Sequence, residues 1–215
     1  MQTAAVDRLT PENAVVLFVD QQAGLFTGVR DMSPLIMQHN VISLARSAKF
    51  LNVLAVLTAN GPGGMFGPVI HELTDLFPDQ EVIDRSVVNA WEDARVREAI
   101  IRTGRQKIVI AGLALGVCAT LPALSAVADG YVAYVAVNAS GSFDALPLTE
   151  LLRLTQAGVI VADAAALVVE MMGDNAHPKA RDIYGALGLS PASFLAQVYT
   201  AHMSNQHAPV VGSSQ

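Results

Sequence analysis

Cysteine is nearly missing from this chain of 215 residues: Cys118 stands alone. A lone cysteine forms no internal disulfide and builds no Cys-rich zinc site, so if it matters it matters as a thiol. Charge is scarce as well, at 15% of residues, and the net charge of -6 comes without any cluster of Lys and Arg. Phosphate backbones are gripped by concentrated basic surface, so nucleic acid is excluded as the main partner. Long apolar runs are absent too. Gly, Pro, Asn or Asp interrupts each one before it reaches the roughly 20 residues a membrane span needs, so no membrane partner is expected. The opening "MQTAAVDRLTPENAV" has no charged n-region followed by an apolar h-region, and a cytoplasmic location is the expectation.

What is present is apolar: 52% of residues. That share fits a large core with helices on both faces of a sheet, with further apolar surface buried between subunits of a homo-oligomer. Short β-branched runs, "AVVLFVD", "NVLAVLTA", "QKIVIAGL", "YVAYVAV", "GVIVAD" and the weaker "EVIDR", read as buried strands. Between them "LIMQHNVISLARSAKF", "WEDARVREAIIRTG", "CATLPALSAVADG" and "LPLTELLRLTQAG" have helical spacing, and three end on a glycine stop. Alternating strand and helix predicts a parallel sheet with right-handed crossovers. The expected architecture is a three-layer α/β/α sandwich, Rossmann-like, with a central parallel sheet of about six strands. After residue 163 three consecutive helices are expected, the last in "PASFLAQVYTAHM". Residues 1–203 read as one domain and 204–215 as a flexible tail.

Two segments offer chemistry. In "NAVVLFVDQQAGL", Asp20 closes an apolar run at a strand's carboxyl end, the rim where open α/β sheets bind ligands. The competing reading is a turn residue that accepts from nearby backbone donors. In "QKIVIAGLALGVCATLPALSAVADG", a strand runs through a glycine-containing turn, and Cys118 falls at or near the first turn of the next helix. Unpaired N–H groups and the helix dipole there favour thiolate, which predicts a depressed thiol pKa; the competing reading is a small buried hydrophobe. The first and fourth strands of such a sheet end beside the point where strand order reverses, so Asp20 and Cys118 can meet. Arg85, in "EVIDRSVVNAWED", supplies a positive group; otherwise it is a strand-end arginine paired at the surface with Asp84 or Glu92.

The order of an Asp after the first strand, a cation after the third and a Cys after "IVIAGLALGVC" resembles the isochorismatase-like cysteine hydrolases, closest to their YcaC-like branch. "VDQQAGL", "NAW", "VCATLPALSA" and "NASGSF" carry the resemblance over residues 12 to 185. It implies Cys118 as nucleophile, Asp20 as general base and then acid, and Arg85 as a permanent charge that orients Asp20. It further implies a cis peptide between Leu113 and Ala114, an oxyanion hole from the N–H groups of Ala114 and Cys118, and a homo-oligomer of two stacked rings, that is, an octamer. The implied reaction is hydrolysis of a carbon–nitrogen bond in a small amide-like substrate through a thioester, without cofactor. Two alternatives stand beside it: a vinyl ether hydrolase of the isochorismatase type, and a catalytically weak binding or assembly protein.

Many relatives carry Thr and then an acidic residue where this chain has Leu115 and Gly116, which predicts a more apolar pocket. Asn89 and Trp91 are candidate substrate contacts, with helix packing as the other reading of Trp91. No metal is expected: His39, His71, His177, His202 and His207 each stand apart from a second ligand. "GPGGMFG", residues 61–67, lacks the Lys-Ser/Thr of a phosphate loop and reads as a turn near the pocket mouth.

Overall fold

A computed structural model describes residues 7–61 and 64–188. The expected helix at 191–203, the tail 204–215, His202 and His207 lie outside the described residues.

The order is β1 (Ala14–Val19), α1 (Ala23–Phe26), α2 (Pro34–Phe50), β2 (Leu54–Asn60), α3 (His71–Thr74), β3 (Val82–Arg85), α4 (Ala94–Thr103), β4 (Lys107–Gly112), α5 (Thr120–Ala128), β5 (Val132–Ala136), α6 (Leu148–Gln156), β6 (Ile160–Ala162), α7 (Ala164–Met172) and α8 (Ala180–Leu187). All six expected strands form, in one sheet ordered β3-β2-β1-β4-β5-β6 with every pairing parallel.

The period-two alternation of strands divides the core. Val16 and Phe18 of β1 and Val109 of β4 pack on one face against Met37, Val41 and Leu44 of α2, Leu167 of α7 and Ile183 of α8. Val15, Leu17 and Val19 of β1 and Ile108 and Ile110 of β4 pack on the other against Val96 and Ile100 of α4, Ala123 of α5 and Leu154 of α6. Central strands buried on both faces need apolar side chains throughout, which is why β1 and β4 read as continuous runs. Each such Val, Leu or Ile contributes about 1.5–3 kcal/mol on burial.

Helix ends follow local chemistry. Asp93 caps α4 by accepting from Arg95 N, and Gly104 closes it at φ 68°, the left-handed region that glycine enters freely. The expected helix from Trp91 therefore starts at Ala94, after a short 3-10 turn over Ala90–Glu92.

The chain passes from β1 outward to β3 and returns to β4 on β1's other side. The strand order thus reverses between β1 and β4, with Val19 opposite Gly112 at their carboxyl ends. This crevice positions the site.

Candidate active site

Asp20 follows β1 directly, and its backbone is left-handed at φ 56°, a conformation Asp adopts more readily than most residues. Two bonds hold it there: Asp20 N–H donates to Thr58 O at 2.9 Å, and Gln22 N–H donates to Asp20 O at 2.7 Å. Gln21 adds a brace. Its Nε2 donates to Ala111 O at 3.1 Å and to Ala139 O at 3.2 Å, tying the end of β1 to β4 and to the loop after β5.

Arg85 ends the edge strand β3, two strand spacings from β1, or about 10 Å. Its side chain spans that gap. Nη2 donates to Asp20 Oδ2 at 2.5 Å, while Nη1 donates to Val87 O at 2.5 Å and Val88 O at 2.9 Å. Both partners of the ion pair are buried, at 0% and 1% side-chain exposure. The surface pairing with Asp84 or Glu92 is thereby replaced by a buried one.

Cys118 sits in a five-residue π-helical turn, Leu115–Ala119, that leads into α5. Gly112 makes the turn possible. A Cβ there would stand 2.5 Å from the Cys118 carbonyl carbon and oxygen, a distance no side chain tolerates. The Leu113–Ala114 peptide is cis. The loop after β5 clasps the turn from its other side: Leu115 N–H donates to Gly141 O at 2.8 Å, and Gly112 N–H donates to Ser140 Oγ at 3.2 Å.

The three residues converge. Cys118 is buried, and its thiol interacts with the Asp20 carboxyl group, whose Oδ1 has no hydrogen-bond partner among the described residues. Here the sequence expectation is overturned. Burial first, and then the neighbouring Asp20 charge, push the Cys118 thiol far above its ordinary value; they outweigh the Arg85 charge and the turn's backbone. Burial likewise raises Asp20, against the opposing pull of Arg85 and of the Cys118 thiol. The sulfur therefore rests protonated beside Asp20.

The backbone donors differ from each other. Cys118 N–H is engaged with Ala114 O at 2.8 Å, whereas Ala114 N–H has no acceptor among the described residues. The Leu115 and Gly116 expectation also changes. Leu115 is 1% exposed and packs into the core, and Gly116 faces α6, where a Cβ would lie 3.3 Å from Glu150 Oε1. Neither accounts for an apolar pocket.

Asn89 and Trp91 are tied into the scaffold. Asn89 Oδ1 accepts from Trp91 N–H at 3.1 Å, and its Nδ2 donates to Ser125 Oγ at 2.9 Å. Trp91 Nε1 donates to Asp129 Oδ2 at 2.7 Å while its ring meets Tyr131 edge-on at 5.3 Å. Both hold the β3–α4 connection to α5. Gly61, Gly64 and Gly67 border a groove of about 1040 Å³ with Gln22, Phe26, Gln38 and Asp84, and that groove is not lined by Asp20, Arg85 or Cys118. Gln21 and the Ala139–Ser142 loop lie in the quoted "VDQQAGL" and "NASGSF", but the sequence pattern assigned neither a part in the site. Their part depends on contacts across 90 or more residues, and the signal available was a polar side chain next to a strand-end Asp.

A parallel six-stranded sheet carries a buried Asp, Arg and Cys at its reversal point, the crevice where open α/β sheets bind ligands. The isochorismatase domain matches residues 14–166, and the chain belongs to the isochorismatase family of hydrolases. The probable hydrolase YcaC of Escherichia coli (strain K12) is 39% identical over 153 residues, covering 70% of this chain and 74% of that protein. Two solved structures superpose closely. YcaC from Pseudomonas aeruginosa, with hexane-2,5-diol and covalent acrylamide, gives a TM-score of 0.85 at 33% identity over 91% of this chain and 99% of its own. The octameric E. coli YcaC, a hydrolase of unknown specificity, gives 0.87 at 32% over 93% and 100%.

Proposed function

We propose that this protein is a cysteine-dependent amide hydrolase, with Cys118 as nucleophile, Asp20 as proton carrier and Arg85 as the fixed charge that holds Asp20. The observation that carries the reading is the Asp20 carboxylate, pinned on Oδ2 by Arg85 with Oδ1 left without a hydrogen-bond partner among the described residues, beside the Cys118 thiol.

Because the thiol rests protonated, attack is coupled to proton transfer. Sulfur bonds to the substrate carbonyl carbon as Asp20 takes the thiol proton, and charge collects on the carbonyl oxygen. Ala114 N–H is the unpaired donor for that oxyanion, and Cys118 N–H joins it by sharing itself away from Ala114 O. Collapse breaks the carbon–nitrogen bond, and Asp20 returns its proton to the leaving amine. Water then gives a proton to Asp20 while its oxygen attacks the thioester; the acid departs and the proton returns to sulfur. Arg85 keeps its charge throughout and moves no proton. No step requires a cofactor or a metal.

That a YcaC structure carries covalent acrylamide supports a site reactive toward a small amide-bearing electrophile. The octameric form of the E. coli relative supports a homo-oligomer here, as do the exposed Leu35, Met65 and Leu146. A cytoplasmic setting fits a free thiol that must stay reduced. Residues up to 203 form the single domain in this reading.

The test is ammonia release from a panel of short primary amides, with intact-mass detection of an acyl adduct on Cys118. Turnover lost in Cys118→Ser and Asp20→Asn supports the reading. An enol ether hydrolysed equally well by Cys118→Ser would favour the vinyl ether alternative, and inertness to all substrates the binding-protein alternative.

A further inference from the structure

β5 stops pairing with β4 before β4 ends. The last register pair is Ile110 with Val135, and after Ala136 the chain enters a 3-10 turn over Val137–Ala139, while β4 runs on to the buried Gly112. A buried N–H left without an acceptor is costly. Ser140 supplies one: its Oγ accepts from Gly112 N–H at 3.2 Å and donates to Ala136 O at 2.8 Å, and the residue is fully buried. One hydroxyl thus joins the two strand ends.

Gly141 follows, and its carbonyl accepts from Leu115 N–H at 2.8 Å. Ser142 anchors the far side. Its N–H donates to Asp31 Oδ1 and its carbonyl accepts from Arg30 N–H, each at 2.8 Å. Behind Gly141 stands the buried Met37, whose Sδ would lie 2.5 Å from a Cβ on that glycine. The Gly141 carbonyl is therefore held by a side chain on either flank, Ser140 and Asp31.

That carbonyl acts across one peptide plane. Leu115 N–H and Ala114 C=O are opposite ends of the same rigid unit. Ala114 O accepts from Val117 N–H at 3.1 Å and from Cys118 N–H at 2.8 Å. Rotating the plane moves Ala114 O and with it the hydrogen bond on Cys118 N–H, which joins Ala114 N–H as oxyanion donor in the proposed reaction.

We infer that Asp31 and Ser140 are positioning residues for the oxyanion donors, acting through Gly141 O on the Ala114–Leu115 peptide. The inference rests on the proposed acyl transfer at Cys118 and deepens it by naming what sets the donors.

Two reagents test it, because only one of them forms an oxyanion. With iodoacetamide, sulfur displaces iodide, a carbon–sulfur bond forms, and the thiol proton passes to Asp20 and then to solvent. With p-nitrophenyl acetate, sulfur bonds to the carbonyl carbon as Asp20 takes the thiol proton, and charge collects on the carbonyl oxygen. Collapse breaks the carbon–oxygen bond, p-nitrophenolate leaves as the anion, and Asp20 gives its proton to solvent. Acylation is read as first-turnover release of p-nitrophenolate, alkylation by intact mass, and Cys118→Ser is the blank for both.

Asp31→Ala removes the acceptor from Ser142 N–H at a half-buried position, and Ser140→Ala removes the other anchor. Each is expected to slow acylation by roughly tenfold or more, since small displacements of donors carry large rate penalties. Alkylation is expected to stay within about twofold, and Asp31→Asn, which keeps Oδ1, to restore acylation. Thermal melts show that each variant is folded, and the ratio of the two rates separates positioning from a general loosening of the site.

Acylation and alkylation slowed by the same factor in both variants, or neither slowed, overturns the inference and leaves the nucleophile assignment standing. Wild-type protein that is alkylated and not acylated overturns it as well. Failure of both reagents to modify Cys118 in the wild type overturns the nucleophile reading and the inference with it.

Discussion

Arg85 reaches over the end of β2 to place Nη2 2.5 Å from Asp20 Oδ2, and the two form a buried ion pair between residues 65 apart in sequence. Each partner is tolerable because the other is there. Removing one leaves a charge without water or counter-charge.

Arg85→Ala is accordingly expected to cost about 3–5 kcal/mol of stability, the typical penalty for a buried charge stripped of its partner. Calorimetry should read this as a melting temperature lowered by roughly 10 °C or more for a chain of this size. Arg85→Lys keeps the charge and loses the fork onto Val87 O and Val88 O, so its loss should be smaller. Equal losses would mean that the guanidinium geometry matters more than its charge.

The raised Asp20 gives stability a definite pH slope. Its folded pKa lies above the ordinary 3.8, so across that window the native state binds more protons than the unfolded chain. The contribution is complete below pH 3.8 and is lost as pH rises through the elevated value. Urea midpoints measured upward from pH 4 should fall for wild type relative to Asp20→Asn, which has no such proton to lose.

The same shift governs reactivity. Asp20 accepts the thiol proton only when ionised, so Cys118 alkylation should climb through a step above the usual carboxylate range. Asp20→Asn should lose that step and keep only an alkaline rise above the ordinary thiol value of 9.0, since burial, the larger cause, still holds the thiol up when the Asp20 charge is gone. A neutral-pH rate unaffected by Asp20→Asn would separate the two groups functionally.

Gly112, just before the turn that carries Cys118, and Gly116, within it, should behave oppositely. Gly112→Ala drives a methyl into the Cys118 backbone at 2.5 Å, so the nucleophile turn must shift, at a cost of about 1–3 kcal/mol or more. Gly116→Ala meets Glu150 Cγ at 3.0 Å and Oε1 at 3.3 Å, a flexible side chain that can swing away, and should be nearly neutral. Thermal melts of the pair decide this, with thiol labelling as the readout of the turn.

Gln21→Leu removes the brace from Asp20's neighbour to Ala111 O and Ala139 O, leaving buried carbonyls short of a donor at about 1–3 kcal/mol. Loss of stability together with slower Cys118 labelling is expected; a stability loss alone would confine Gln21 to the scaffold.

The sequence by itself determined the strands, the parallel sheet and the meeting of β1 and β4. Runs such as "AVVLFV" and "KIVIAG" are buried along their whole length, and only central parallel strands with covered faces require that. The places of Asp20 and Cys118 on one rim followed from that topology, because strand order reverses between them. Tertiary structure alone decided the rest. Cys118's proton depends on how deeply the turn is buried and on which carboxylate faces it, and a dipole argument from the helix start pointed the wrong way. Leu115 went to the core, and Asn89 and Trp91 bonded to Ser125 and Asp129 of the α5 region, because side-chain direction in a π-helical turn and a 3-10 turn is set by packing. Local pattern specifies which segments are buried; the direction and protonation of a group at their ends depend on desolvation and charge from residues far away in the chain.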